Sequence, residues 1–86
     1  MSESPIKMYS TQWCSDCVRA KRAFDKFGIS VEVIDVDEDR SAQAFVLGAN
    51  RGMLSVPTIQ FPDDTVLTEP SASDLETKFR ELGLVG

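Results

Sequence analysis

Cys14 and Cys17 are the only two cysteines among the 86 residues, and they are the pair best equipped for chemistry. Ser15 and Asp16 separate them and Trp13 precedes them. On a helix, a spacing of three puts both thiols on one face, where a disulfide can close. In a first helical turn, unpaired backbone N–H groups and the helix dipole favour a thiolate on Cys14. The thiolate is the nucleophile of thiol–disulfide exchange, so this position suits Cys14 to attack. Cys17, one turn further in, is expected to be more shielded and to act as the resolving thiol. Asp16 opposes activation through its negative charge, and Arg19 and Lys21 stand near enough to offset it.

Composition narrows the alternatives. The chain has no His, which excludes a Ser-His or Cys-His pair, a His general base and any His-containing metal site. A structural zinc site needs four ligands, and one Cys pair without His would require a second chain. Two inert core cysteines are the remaining bland reading, since free Cys is often buried. The net charge of -5 opposes binding to nucleic acid or to anionic membranes. Hydrophobic residues at 42% and charged residues at 27% describe a globular chain. Met1 to Lys7 has neither the basic start nor the apolar run of a signal peptide, and no segment has the roughly 20 apolar residues of a membrane span. A cytoplasmic protein is expected, where a close Cys pair is more often catalytic or metal-binding than structural.

The surrounding pattern says what must position the pair. All of residues 1–86 read as one domain, without repeats or linkers. Ile6 and Met8 alternate with Lys7 and Tyr9 as in a short strand. After Cys17, Ala20, Ala23, Phe24 and Phe27 recur at i, i+3, i+4, i+7, the stripe of an amphipathic helix, with Gly28 as its stop. Val31 to Val36 is β-branched and reads as a strand. Ala42, Phe45, Val46 and Ala49 form a second helical stripe ending around Gly48, Asn50 and Gly52. Thr58–Phe61 and Thr65–Thr68 flank Pro62-Asp63-Asp64 as a hairpin. Ala72, Leu75, Phe79 and Leu82 mark a last helix, capped by Ser71 with Asp74 or by Ser73 with Glu76. The order β-α-β-α-β-β-α predicts an α/β fold. It is a four-stranded mixed sheet with helices on both faces, a parallel right-handed crossover first and an antiparallel hairpin last. The acidic run Asp35, Asp37, Glu38, Asp39 lacks the length and Gly of a calcium loop and reads as a solvated turn.

Tyr9 to Cys17, Val56-Pro57-Thr58 and Leu67-Thr68-Glu69-Pro70-Ser71 together resemble the glutaredoxins, most of all their actinobacterial branch, the mycoredoxins. The resemblance runs through the whole chain in one register. It implies the thioredoxin fold in its minimal glutaredoxin form, with Cys14 attacking mixed disulfides and Pro57 in a cis peptide beside it. It also implies that Trp13, Val56, Pro57, Ser73 and Asp74 contact substrate, the Val56 backbone being free to pair with an extended chain. Three departures accompany the match. Thr11 and Leu54 stand where many glutaredoxins have Lys and Arg, and Pro70-Ser71 replaces a Gly-Gly step. Those cations would meet the carboxylates of glutathione. Their absence favours a thiol without them, such as mycothiol; Arg40 and Arg51 add charge, but nothing in the sequence aims them.

The reading that follows is a thiol–disulfide oxidoreductase that reduces protein disulfides or protein–small-thiol mixed disulfides. Mycothiol or glutathione serves as cosubstrate. No tightly bound cofactor or metal is expected, and a monomer is. The alternatives are an electron donor reduced by a thioredoxin-type flavin reductase, a non-catalytic redox-sensing module, and an iron–sulfur scaffold bridging two monomers through Cys14.

Overall fold

A computed structural model describes residues 5–85; residues 1–4, read above for a targeting segment, and Gly86 lie outside the described residues. Its elements are β1 (Lys7–Ser10), α1 (Ser15–Lys26), β2 (Glu32–Asp35), α2 (Arg40–Ala49), β3 (Thr58–Gln60), β4 (Val66–Thr68) and α3 (Ala72–Glu81). The sheet order is β2-β1-β3-β4. β1 and β2, joined through α1, are parallel, with Met8 opposite Val33. β3 runs antiparallel to both β1 and β4, with Ile59 opposite Met8 on one side and Leu67 on the other. The mixed four-stranded sheet is the expected one.

Alternation along the strands sorts side chains to two faces. Ile6, Met8, Ile59 and Phe61 meet Ala20, Ala23 and Phe24 of α1 and Leu75 and Phe79 of α3. Phe79 takes Phe24 and Phe27 edge-on, with ring centroids 5.1 and 5.7 Å away. On the opposite face Tyr9 and Val36 meet Ala42 and Val46 of α2. There Tyr9 stacks on Phe45 at 4.8 Å. Helices therefore cover both faces.

The ends of the elements have local causes. Asp39 caps α2 by accepting the Ala42 N–H at 3.0 Å, and Asp35 accepts the Asp37 N–H at 2.8 Å. The acidic run is thus a turn and a helix cap. Of the two capping boxes the sequence allowed, Ser71 with Asp74 is the one formed, both bonds being 3.0 Å. Gly28 follows α1 with φ +66, a conformation that suits glycine. Two stripe assignments need correction: Ala49 and Ala72 are exposed, one the last residue of α2 and the other the first of α3.

The hairpin turn is fixed by Asp63, whose carboxylate accepts both the N–H and the hydroxyl of Thr65, at 3.1 and 2.6 Å. The same carboxylate pairs with Lys78 of α3 at 2.7 Å. Lys78 is buried, and its ammonium lies 5.6 Å from the centre of the Phe61 ring. Hydrogen bonding from Lys78 and Thr65 holds the Asp63 carboxyl down to about 2, and the Asp63 partner raises Lys78 above its usual value.

Candidate active site

The cysteines sit where β1 gives way to α1. Cys14 is the N-cap residue, in extended conformation (φ -94, ψ 104), and its Sγ accepts the Cys17 N–H at 3.1 Å. A sulfur in this place takes the role that a Ser or Asp oxygen plays at most helix starts. Cys14 and Cys17 are joined as a disulfide, with Cα atoms 5.1 Å apart. Cys17 is only 5% exposed while Cys14 is half-buried, so the two sulfurs differ in access in the sense expected. Trp13, 90% exposed, stands out from the surface beside them.

The Val56–Pro57 peptide is cis, and the Val56 carbonyl oxygen lies 3.6 Å from Cys14 Sγ. Pro57 is fully buried beneath it. The sequence thus brings residues 42 positions apart into one site. What holds the loop in place is a polar network that sequence reasoning missed. Asn50, the C-cap of α2, donates its amide to the Val46 carbonyl at 2.9 Å and to Thr58 Oγ1 at 3.0 Å. Its amide oxygen accepts the Thr68 hydroxyl at 2.6 Å. Thr58, fully buried, donates its hydroxyl to the Ser55 carbonyl at 2.6 Å, one residue before Val56. From the other side the Glu69 N–H reaches the Pro57 carbonyl at 2.8 Å. Glu69 does so at φ +50, a left-handed conformation that non-glycine residues rarely adopt.

Electrostatics around the pair follow from α1. Arg19 forms an ion pair with Asp16, so the charge that opposes a thiolate has a partner. Lys21, expected to help, pairs instead with Asp25 at 2.8 Å, one turn further along the helix. A groove of about 330 Å³ beside the sulfurs is lined by Thr11, Cys14, Cys17, Val18, Arg22 and Val33, among others. A second, of about 460 Å³, runs between the first turns of α1 and Glu69–Ala72. Ser73 and Asp74 line neither: Asp74 spends its carboxylate on the α3 cap, and Ser73 lines a groove further along α1 and α3. Leu54 is exposed and, like Arg40 and Arg51, lines neither groove. Among the described residues no cluster of three or more His, Cys, Asp or Glu side chains could hold a metal ion, and no helix is long and apolar enough to cross a membrane.

A parallel β-α-β start, a cis-proline loop and a Cys-X-X-Cys helix cap define a thioredoxin-fold thiol oxidoreductase. The glutaredoxin family profile matches residues 6–66, and the chain belongs to that family. It is 36% identical over 78 residues to the glutaredoxin-named protein Rv3198A of Mycobacterium tuberculosis, covering 91% of this chain and 93% of that one. It is 34% identical over 79 residues to Mycoredoxin 1 of Corynebacterium glutamicum, covering 92% and 98%. The crystal structure of the thioredoxin-like protein BC3987 superposes with a TM-score of 0.73 at 25% identity, over 84% of this chain and 96% of that one. Glutaredoxins use small thiols as cosubstrates.

Proposed function

We propose that this chain, as one domain in a reducing, cytosolic compartment, reduces mixed disulfides between proteins and a small thiol, and protein disulfides, with mycothiol or a close analogue as electron donor. One observation carries the reading. Cys14 Sγ caps α1, with the Cys17 N–H 3.1 Å away and the Val56 carbonyl on its open side at 3.6 Å. In the dithiol form a Cys14 thiolate attacks the sulfur of the small thiol in a mixed disulfide, and the protein thiolate leaves. The resulting Cys14 adduct has two exits. A second small thiol attacks it, releasing the small-thiol disulfide and regenerating the Cys14 thiol. Alternatively Cys17 attacks Cys14 Sγ, the small thiol leaves, and the Cys14–Cys17 disulfide forms. Trp13, Val56 and Pro57 frame the entry. Support for mycothiol comes from neutral Thr11 and exposed, neutral Leu54, which offer no charge to the carboxylates of glutathione, and from the likeness to a protein named Mycoredoxin 1. An exposed ion pair contributes only ~0.2–1 kcal/mol, so glutathione is expected to be served several-fold less well rather than refused.

The test is turnover of one protein carrying either small thiol as a mixed disulfide. Wild type should favour the mycothiol adduct, Cys14→Ser should abolish turnover of both, and Cys17→Ser should keep turnover while trapping an adduct on Cys14. A wide preference for glutathione overturns the choice of thiol. Reduction of the oxidised protein by a flavin reductase but by no small thiol overturns the choice of donor.

A further inference from the structure

The charge of this chain is unevenly placed. Overall it carries nine Lys plus Arg against fourteen Asp plus Glu. Helix α1 reverses the balance, with Arg19, Lys21, Arg22 and Lys26 against Asp16 and Asp25. Both of those acids are already paired, Asp16 with Arg19 and Asp25 with Lys21. Arg22 and Lys26 are exposed and, among the described residues, neither has a carboxylate partner.

These two cations also have a direction. Val18, Arg22 and Lys26 are spaced i, i+4, i+8, one row along the helix surface. The row begins at the sulfurs, because Val18 and Arg22 line the groove that holds Cys14 and Cys17. It continues without a break, because Arg22 also lines the next groove, about 420 Å³, with Arg19, Lys26, Phe27 and Ser73. The one carboxylate lining that groove, Glu76, is paired with Arg80 at 2.6 Å. Val18, 53% exposed, adds an apolar step between the sulfurs and the cations.

We infer that this row is the docking track for the disulfide-bearing client, and that the client is acidic beside its reactive cysteine. At ~1.5 Å rise per residue, Val18 and Lys26 are roughly 12 Å apart along the helix. An extended peptide covers that distance in about four residues. A client cysteine engaged at Cys14 therefore places carboxylates some three to six positions away against Arg22 and Lys26. The inference deepens the proposed function and rests on it, since it names the kind of protein that the site serves.

The experiment uses two synthetic peptides, each carrying one cysteine as a mixed disulfide with neutral 2-mercaptoethanol. One has Glu at the third to sixth positions after the cysteine and the other has Gln there. Wild type should show a KM about tenfold lower for the Glu peptide at low salt, with equal kcat, the gap closing at high salt. In Arg22→Gln with Lys26→Gln the KM values for the Glu and Gln peptides should converge. Equal KM values in wild type, or a preference that survives the double substitution, overturn the inference. If neither peptide is turned over, the proposed function has failed instead. The track is then judged by fluorescence anisotropy on Cys14→Ser with labelled, cysteine-blocked peptides, where tighter binding of the Glu peptide supports it and equal binding overturns it.

Discussion

The two faces of the sheet are held by different forces. Under α1 and α3 lies an aromatic core in which Phe24, Phe61 and Phe79 are fully buried. Under α2 only Val36 and Val46 among the apolar core residues are buried completely, and the hydrogen bonds that Asn50 donates to Thr58 and accepts from Thr68 do part of the fastening. Apolar burial is non-directional and roughly proportional to area, whereas a hydrogen bond fixes distance and angle. The first face suits the job of keeping α1 folded on the sheet. The second suits the job of aiming one carbonyl, that of Val56, at one sulfur.

Substitutions that separate stability from aim should break this contrast most clearly. Phe79→Ala should cost ~3–5 kcal/mol of stability, the range for emptying a packed aromatic site. Measured where the variant remains folded, its KM for protein mixed disulfides should stay near that of wild type. Chemical denaturation followed by kinetics at low temperature checks both halves. Asn50→Ala should cost less, ~1–3 kcal/mol, chiefly from leaving buried partners unsatisfied. Here KM should rise several-fold in the folded protein, because Thr58 and the Ser55–Pro57 segment lose their anchor on α2. An Asn50→Ala protein as active as wild type would remove the division of labour between the faces.

A smaller effect is expected at the cap of α3. Ser71→Ala removes one of the two capping-box bonds and should lower stability by about 1 kcal/mol, with little change in turnover. The smallest effect belongs to the hairpin end. Asp63 has its carboxyl held at about 2, below its ordinary 3.8, by Lys78 and Thr65. A carboxyl depressed on folding contributes stability that is fully present above pH 3.8 and fades as pH falls towards 2. Acid titration of thermal stability should therefore show less loss between those values in Asp63→Asn than in wild type. The exposure of Asp63 to solvent keeps the difference modest.

Most of this architecture was legible because it is written in local periods. The 3.6-residue stripes located α1, α2 and α3, and β-branched runs located the strands to within a residue or two. The stripes overshot only at Ala49 and Ala72, the last residue of α2 and the first of α3, both exposed. The cysteine pair was legible from its spacing alone. The cis Val56–Pro57 peptide was reached by family resemblance, since a proline before a strand reads otherwise as an ordinary strand start. Asn50 was not legible: beside Gly48 and Gly52 it looks like a helix stop, and its side-chain partners Thr58 and Thr68 lie 8 and 18 residues away. Lys21 was read as offsetting the charge of Asp16, but five positions put the two on different faces of α1, and Lys21 pairs with Asp25 at i+4 instead.

Trp13 is the only tryptophan of the chain and is 90% exposed, one residue from Cys14. A disulfide accepts an electron from an excited indole far more readily than a thiol does, so closing and opening the pair should dim and brighten the emission of Trp13. Since the indole is already in water, the colour of its emission should hardly move. The molecule therefore carries a built-in optical gauge of its own oxidation state, readable in real time and without a label.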